Sequence, residues 1–182
     1  MTINPYKVVE DRLITSFGLD KYSFIMSRFH EVDVSEDENF QRVFNGFYGV
    51  RRNLEWRQKY YAFFESNKEK QISYADIILW LYDQTGNIEA SFSSKMLATL
   101  DPNRPIWDQY VLKNLNLQIS GYTKREKLED AIRIYNSIEN WYIEFLQTNN
   151  AEECITAFDK VLPSYTWLTK IKKIDLFLWS IR

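Results

Sequence analysis

The sequence predicts an all-α fold, a single domain of about ten helices. Three observations carry this. Apolar residues recur at spacings of three and four rather than two, which is the helical period. Only five glycines and four prolines punctuate 182 residues, too few turn signals for a β-sandwich. Helix-start signatures recur along the chain, each a short polar residue followed three positions later by an acid.

Taken in order, the first helix is expected over Tyr6–Phe17, with Val8, Val9, Leu13 and Phe17 inward and Gly18 as its stop. A second covers Lys21–His30. After an acidic connector, Ser35 and Glu38 have capping-box spacing for a helix that buries Phe40, Val43, Phe44 and Phe47. Gly46 and Gly49 end or loosen that helix. Asn53–Ser66 follows, with Leu54, Tyr61 and Phe64 on one side. Ser73 caps the next helix, whose inward set is Ile77, Ile78, Trp80 and Leu81 and whose stop is Thr85-Gly86-Asn87.

Ser91 to Val111 reads as a short helix, a proline-bracketed loop and the start of a second helix. Pro105 suits a first helical position, where its missing N–H would be unpaired anyway. Thr123 and Glu126 form another capping box, for a long helix through Leu128, Ile132, Tyr135, Ile138, Tyr142 and Phe145. Ala151–Leu162 and Lys170–Ile181 complete the set, the last with Ile171, Ile174, Leu178 and Ile181 at helical spacing.

A chain of this length buries roughly 70% of its unfolded surface and needs no covalent staple. Its one cysteine, Cys154, leaves no intramolecular disulfide and suits a reducing compartment. No apolar run approaches the roughly 20 residues that span a bilayer, and the first residues lack an apolar signal core. The expectation is a soluble cytoplasmic protein. Net charge is -2, from 23 basic and 25 acidic residues. A nucleic-acid role would therefore need the basic side chains gathered on one face. Six tryptophans and twelve tyrosines point first to a ring-rich core, and second to rings that stack on bases.

Chemistry-bearing motifs are few. His30 is the sole histidine, which excludes a multi-histidine metal site. Cys154 lies on the apolar side of its helix beside Glu152 and Glu153, the setting of a buried structural thiol. No phosphate loop or dinucleotide fingerprint is present, and neither metal nor cofactor is expected.

The pattern Ser94-Lys95, a short apolar run, Asp101-Pro102 and then Pro105-Ile106-Trp107-Asp108 before a helix resembles the helix-hairpin-helix DNA glycosylase superfamily. Within it, the likeness is to 8-oxoguanine-glycosylase-like bacterial proteins, and it covers Gly86 to Leu117. The resemblance implies a glycosylase-like helical fold, duplex DNA as partner and excision of a damaged base with an associated lyase step. It matches Lys95 to the superfamily lysine, whose amine attacks the sugar and forms a Schiff base. Asp108 matches the aspartate, which stabilises positive charge on the sugar and moves protons. The flipped base would lie against Trp107 and Tyr110. Ser93 and Ser94, in the hairpin tract, and Arg51, Arg52, Lys170, Lys172 and Lys173 are the candidates for holding phosphates.

The tract Glu89–Ser94 contains no glycine, whereas the superfamily turn is glycine-rich. A second reading therefore stands beside the first: a non-enzymatic helical module that keeps the fold and binds a nucleic acid or a protein. On that reading Asp108 only favours a helix start, Ser91, Ser93 and Ser94 cap the helix of Lys95, and the basic clusters are solvated faces.

Overall fold

The computed structural model describes residues 2–6 and 18–181. Residues 7–17 of the expected first helix lie outside these. Among the described residues the fold is all-helical: α1 (Leu19–Arg28), α2 (Glu38–Tyr48), α3 (Leu54–Ser66), α4 (Tyr74–Thr85), α5 (Ala90–Leu100), α6 (Gln109–Asn114), α7 (Lys124–Phe145), α8 (Asn149–Val161) and α9 (Lys170–Ser180), with a 3-10 turn at Pro163–Tyr165. They form two compact units. One is Gly18–Leu100; the other joins the first residues of the chain to Asp101 onward.

In the Gly18–Leu100 unit, α1 packs on α2, α3 on α4 and α4 on α5. Its core is aromatic. Phe29, Phe40, Phe44, Tyr60, Tyr61 and Phe64 are buried, with ring pairs such as Phe44 and Tyr61 meeting edge to face at 5.8 Å. That geometry sets the positive ring edge against the negative face and adds to the area term.

Local chemistry sets the helix ends. Asp37, not Ser35, caps α2: its carboxylate accepts from Phe40 N–H. Ser35 is diverted, because its hydroxyl donates to Asp33 Oδ1 at 2.6 Å in the preceding turn. Asn53 caps α3 through Trp56 N–H. Leu54 is exposed on that helix, and Trp56 and Tyr60 take the inward positions expected of it. Ser73 and Asp76 form a complete capping box on α4, and Gly86 closes that helix at φ 68°. Trp80 is half-buried and stacks on Phe63 at 3.9 Å between ring centres.

In the other unit, α9 packs on α8 and α6. The Thr123–Glu126 box opens α7 as expected. Pro105 does not begin a helix. Residues 105–108 run as an extended approach, Asp108 is the N-cap, and α6 starts at Gln109. The Pro105 carbonyl is instead used tertiarily, accepting from the buried Tyr135 hydroxyl at 2.9 Å. Ile3 is buried and tied twice to α8: its N–H donates to Asn150 Oδ1 and its carbonyl accepts from Asn150 Nδ2, both at 2.8 Å. Cys154 is buried, and burial, helped by Glu153, pushes its thiol up to about 12. His30 is exposed. No helix of the described residues is long and apolar enough to cross a membrane.

The turn before α7 is closed by a near contact of backbones. Gly121 N–H and Ser120 N–H both donate to Asp130 Oδ2. A Cβ at Gly121 would fall 2.6 Å from the backbone nitrogen of Lys127. That atom belongs to the first turn of α7 and cannot swing away. Gly121→Ala is therefore expected to destabilise the protein by more than about 1 kcal/mol, read as a lower urea midpoint.

Candidate functional site

Lys95 sits within α5, in the Gly18–Leu100 unit. It is half-buried, and its Nζ donates to the Tyr48 carbonyl at 2.9 Å. Tyr48 is the last residue of α2. The final carbonyls of a helix lack intrahelical donors and carry the negative end of its dipole. The Lys95 amine caps that end. The Phe92 ring lies 5.1 Å from the same nitrogen and adds a cation–π contact.

The residues ahead of α5 are also committed. Glu89 is only 3% exposed, and its Oε2 accepts from Arg52 at 2.7 Å. The Arg52 guanidinium lies over the Phe92 and Trp56 rings at 5.3 and 5.9 Å. A helix N-terminus binds phosphate through its free amides and positive dipole end. Here a buried carboxylate, paired with Arg52, directly precedes that end. The Ser93 hydroxyl donates to the Glu89 carbonyl and that of Ser94 to the Ser91 carbonyl. Both serines are buried. These hydroxyls, expected to hold a DNA phosphate, bond to carbonyls of their own helix or its approach. Arg51 is exposed.

Asp108 belongs to the other unit. It is half-buried, and Oδ1 accepts from Tyr110 N–H at 2.8 Å as the cap of α6. Trp107 is buried and Tyr110 half-buried. Lys170, at the first position of α9, is exposed. Lys172 and Lys173 are not. Lys173 Nζ pairs with Asp159 at 2.6 Å and donates to the Thr166 carbonyl at 3.0 Å. Lys172 Nζ lies 4.6 Å from the centre of the Trp179 ring and 4.0 Å from Asp175 Oδ2. Both lysines, expected to hold phosphates, are buried because α9 is enclosed on nearly every side. Lys95 and Asp108 thus have separate local structural roles, one at the end of α2 and one at the start of α6.

One buried ionisable cluster was not singled out by charge counting or motif spacing. Asp175, on α9, is 1% exposed. The Tyr142 hydroxyl, from α7, donates to its Oδ1 in a short hydrogen bond. The Ile106 N–H, from the extended approach to α6, also donates to it, and Lys172 and Asp108 are close enough to act on its charge. Burial raises the Asp175 carboxyl to about 6, against the opposing pull of Lys172, Tyr142 and the Ile106 N–H. Burial raises Tyr142 well above its ordinary value, and Asp175 raises it further. The tyrosine therefore stays protonated as the donor. The sequence signal was an aspartate inside the apolar run Ile174-Asp175-Leu176-Phe177-Leu178. Among the described residues no group of three or more His, Cys, Asp or Glu side chains could hold a metal ion.

No protein family matches the chain, and comparison with curated proteins and with solved structures gives no match.

The Asp175 cluster makes stability depend on pH. The unfolded carboxyl ionises near the ordinary value of 3.8 and the folded one near 6. Below the lower value both states are protonated and the full contribution is present. As pH rises through the folded value that contribution is lost, because burial disfavours the carboxylate. The protein is expected to lose about 3 kcal/mol between roughly pH 4 and pH 7 from this group. Asp175→Asn should remove that component, read as a flatter profile of unfolding free energy against pH.

Proposed function

We propose that this chain works by binding, as a non-enzymatic helical module with the glycosylase-like likeness described above, and that its partner is a nucleic acid or a protein. The observation that carries this is the bond from Lys95 Nζ to the Tyr48 carbonyl. A lysine nucleophile must reach its neutral form, which burial or a neighbouring cation promotes. Here the amine is instead engaged by a helix-end carbonyl and lies against the Phe92 ring. The internal carboxylate of Glu89 and the buried serines support the same reading, since they remove the usual means of gripping a phosphate at a hairpin.

Two measurements test it. Borohydride treatment with duplex DNA carrying an abasic site should trap no covalent adduct. Lys95→Ala should cost about 1–3 kcal/mol of stability, because it leaves a helix-end carbonyl without its charged donor. An adduct formed by the native chain and lost in Lys95→Ala would overturn the reading. Titration with undamaged duplex at rising salt then tests the nucleic-acid partner: a steep loss of affinity marks phosphate contacts, and no binding at low salt removes duplex DNA as the partner.

A second reading keeps the enzyme without the lysine: release of a damaged base through Asp108 alone. What favours it is a half-exposed carboxylate at a helix start, in the Pro-Ile-Trp-Asp context of the resemblance. Asp108→Asn retains an N-cap, because asparagine caps as well as aspartate, whereas Asp108→Ala costs about 0.5–2 kcal/mol. On this reading, release of an oxidised base from duplex DNA is abolished in Asp108→Asn while the melting temperature holds. Absence of release by the native chain removes the reading.

A further inference from the structure

One peptide unit ahead of α6 is gripped from two sides. The Pro105 carbonyl accepts from the Tyr135 hydroxyl of α7 at 2.9 Å. The N–H of the same peptide, that of Ile106, donates to Asp175 on α9. Asp175 is buried, and the groups around it come from each neighbouring element. Tyr142 of α7 donates to its Oδ1. Lys172, on α9 itself, keeps its Nζ 4.0 Å from Oδ2, beyond hydrogen-bond reach. Asp108, at the start of α6, adds a like charge. Toward α8, Lys173 of α9 is paired with Asp159. The Asp175 carboxylate is thus only partly compensated, and burial outweighs its donors.

The segment that carries this peptide is lightly built. Residues 101–108 belong to no helix, and α6 has six residues, too few to stand as a helix alone. The Asp108 carboxylate caps its start, and Asn114 Nδ2 ties its end to the Leu178 and Ile181 carbonyls. By contrast, α7 runs 22 residues from a complete capping box. Ile106, Trp107 and Val111 are buried, which makes lifting the segment a rare excursion rather than a standing state. Any excursion that takes the Pro105–Ile106 peptide off Asp175 lets water reach the carboxyl.

We propose that residues 105–114 form a latch, fastened on α9 at Asp175, whose local opening becomes more frequent as pH rises from acid to neutral. The closed segment holds the carboxyl near 6, whereas a hydrated one ionises near 3.8. Between these values the open state therefore gains on the closed one. The gap bounds that gain at about a hundredfold. Opening frees Trp107 and Asp108 together, so the latch bears on either reading above and depends on neither.

The test is native-state amide hydrogen exchange on the full chain, followed from pH 4 to pH 7 and corrected for the intrinsic exchange rate. The amides of Ile106 and of Leu112, in α6, report the latch; that of Ile138, in the middle of α7, reports global unfolding. Ile106 and Leu112 are expected to be less protected than Ile138 and nearly indifferent to low urea, since a local opening exposes little surface. Their protection should fall by up to about a hundredfold across this range. Asp175→Asn should make it independent of pH. Tyr142→Phe removes a donor that holds the carboxyl down, so it should move the same fall to higher pH, and it serves if the first variant does not fold. Three outcomes overturn the proposal. Ile106 and Leu112 could exchange with the protection and urea dependence of Ile138, which would leave global unfolding alone. Their corrected protection could be flat with pH in the native chain. The fall could also persist unchanged in Asp175→Asn, or at the same pH in Tyr142→Phe. None of these measurements uses DNA or a protein partner, so failure here is distinct from failure of the binding reading.

Discussion

Three segments of the second unit meet at one carboxylate. Asp175 is carried into the core by α9, accepts the Tyr142 hydroxyl from α7 and is reached by the Ile106 N–H from the approach to α6. Isolated burial of a carboxylate is costly, so such a group persists only where donors converge on it. That requirement fixes more than a local contact. It sets the rotation of α9, and thereby draws Lys172 and Lys173 inward to Trp179 and Asp159. The Ile106 N–H it draws in belongs to the non-helical approach 105–108, and α6 begins at Gln109, four residues after the proline.

The Gly18–Leu100 unit solves the same problem differently. Its core is made of rings, and its charges are kept at the margin of that core. Lys95 closes the end of α2, and Arg52 lies on Phe92 and Trp56 while neutralising Glu89. Each cation has a helix end, a ring or a carboxylate to satisfy. The basic residues that a sequence presents as candidates for an anionic partner are therefore partly consumed by the fold.

Helix starts were legible where the cap is local. Thr123 with Glu126, and Ser73, act within three residues and cap as expected, whereas Asn53, expected as the first helical residue, is the cap of α3. Ser35 failed because Asp33 captured its hydroxyl and a nearby carboxylate made the stronger cap. Pro105 does not start the helix: the chain stays non-helical through Asp108, and the proline carbonyl is taken by a tyrosine thirty positions away. The same distance effect hid the lysines of α9. Their charge suggested a solvated face, whereas Asp175 amid apolar neighbours was the sign that the helix is enclosed. Of the candidate site, the position of Asp108 at a helix start was readable. The commitment of Lys95 to α2 was not, since it depends on a residue 47 positions earlier.

The pairing of Ile3 with Asn150 gives the chain a discontinuous layout. The unit Gly18–Leu100 is inserted, in sequence, into one whose parts come from both sides of it. During synthesis the inserted unit is complete as soon as Leu100 has emerged. Ile3 meanwhile waits for Asn150, several seconds later at roughly 5–20 residues per second. The nascent protein thus acquires its aromatic unit first, while its earliest residues are among the last to find their place.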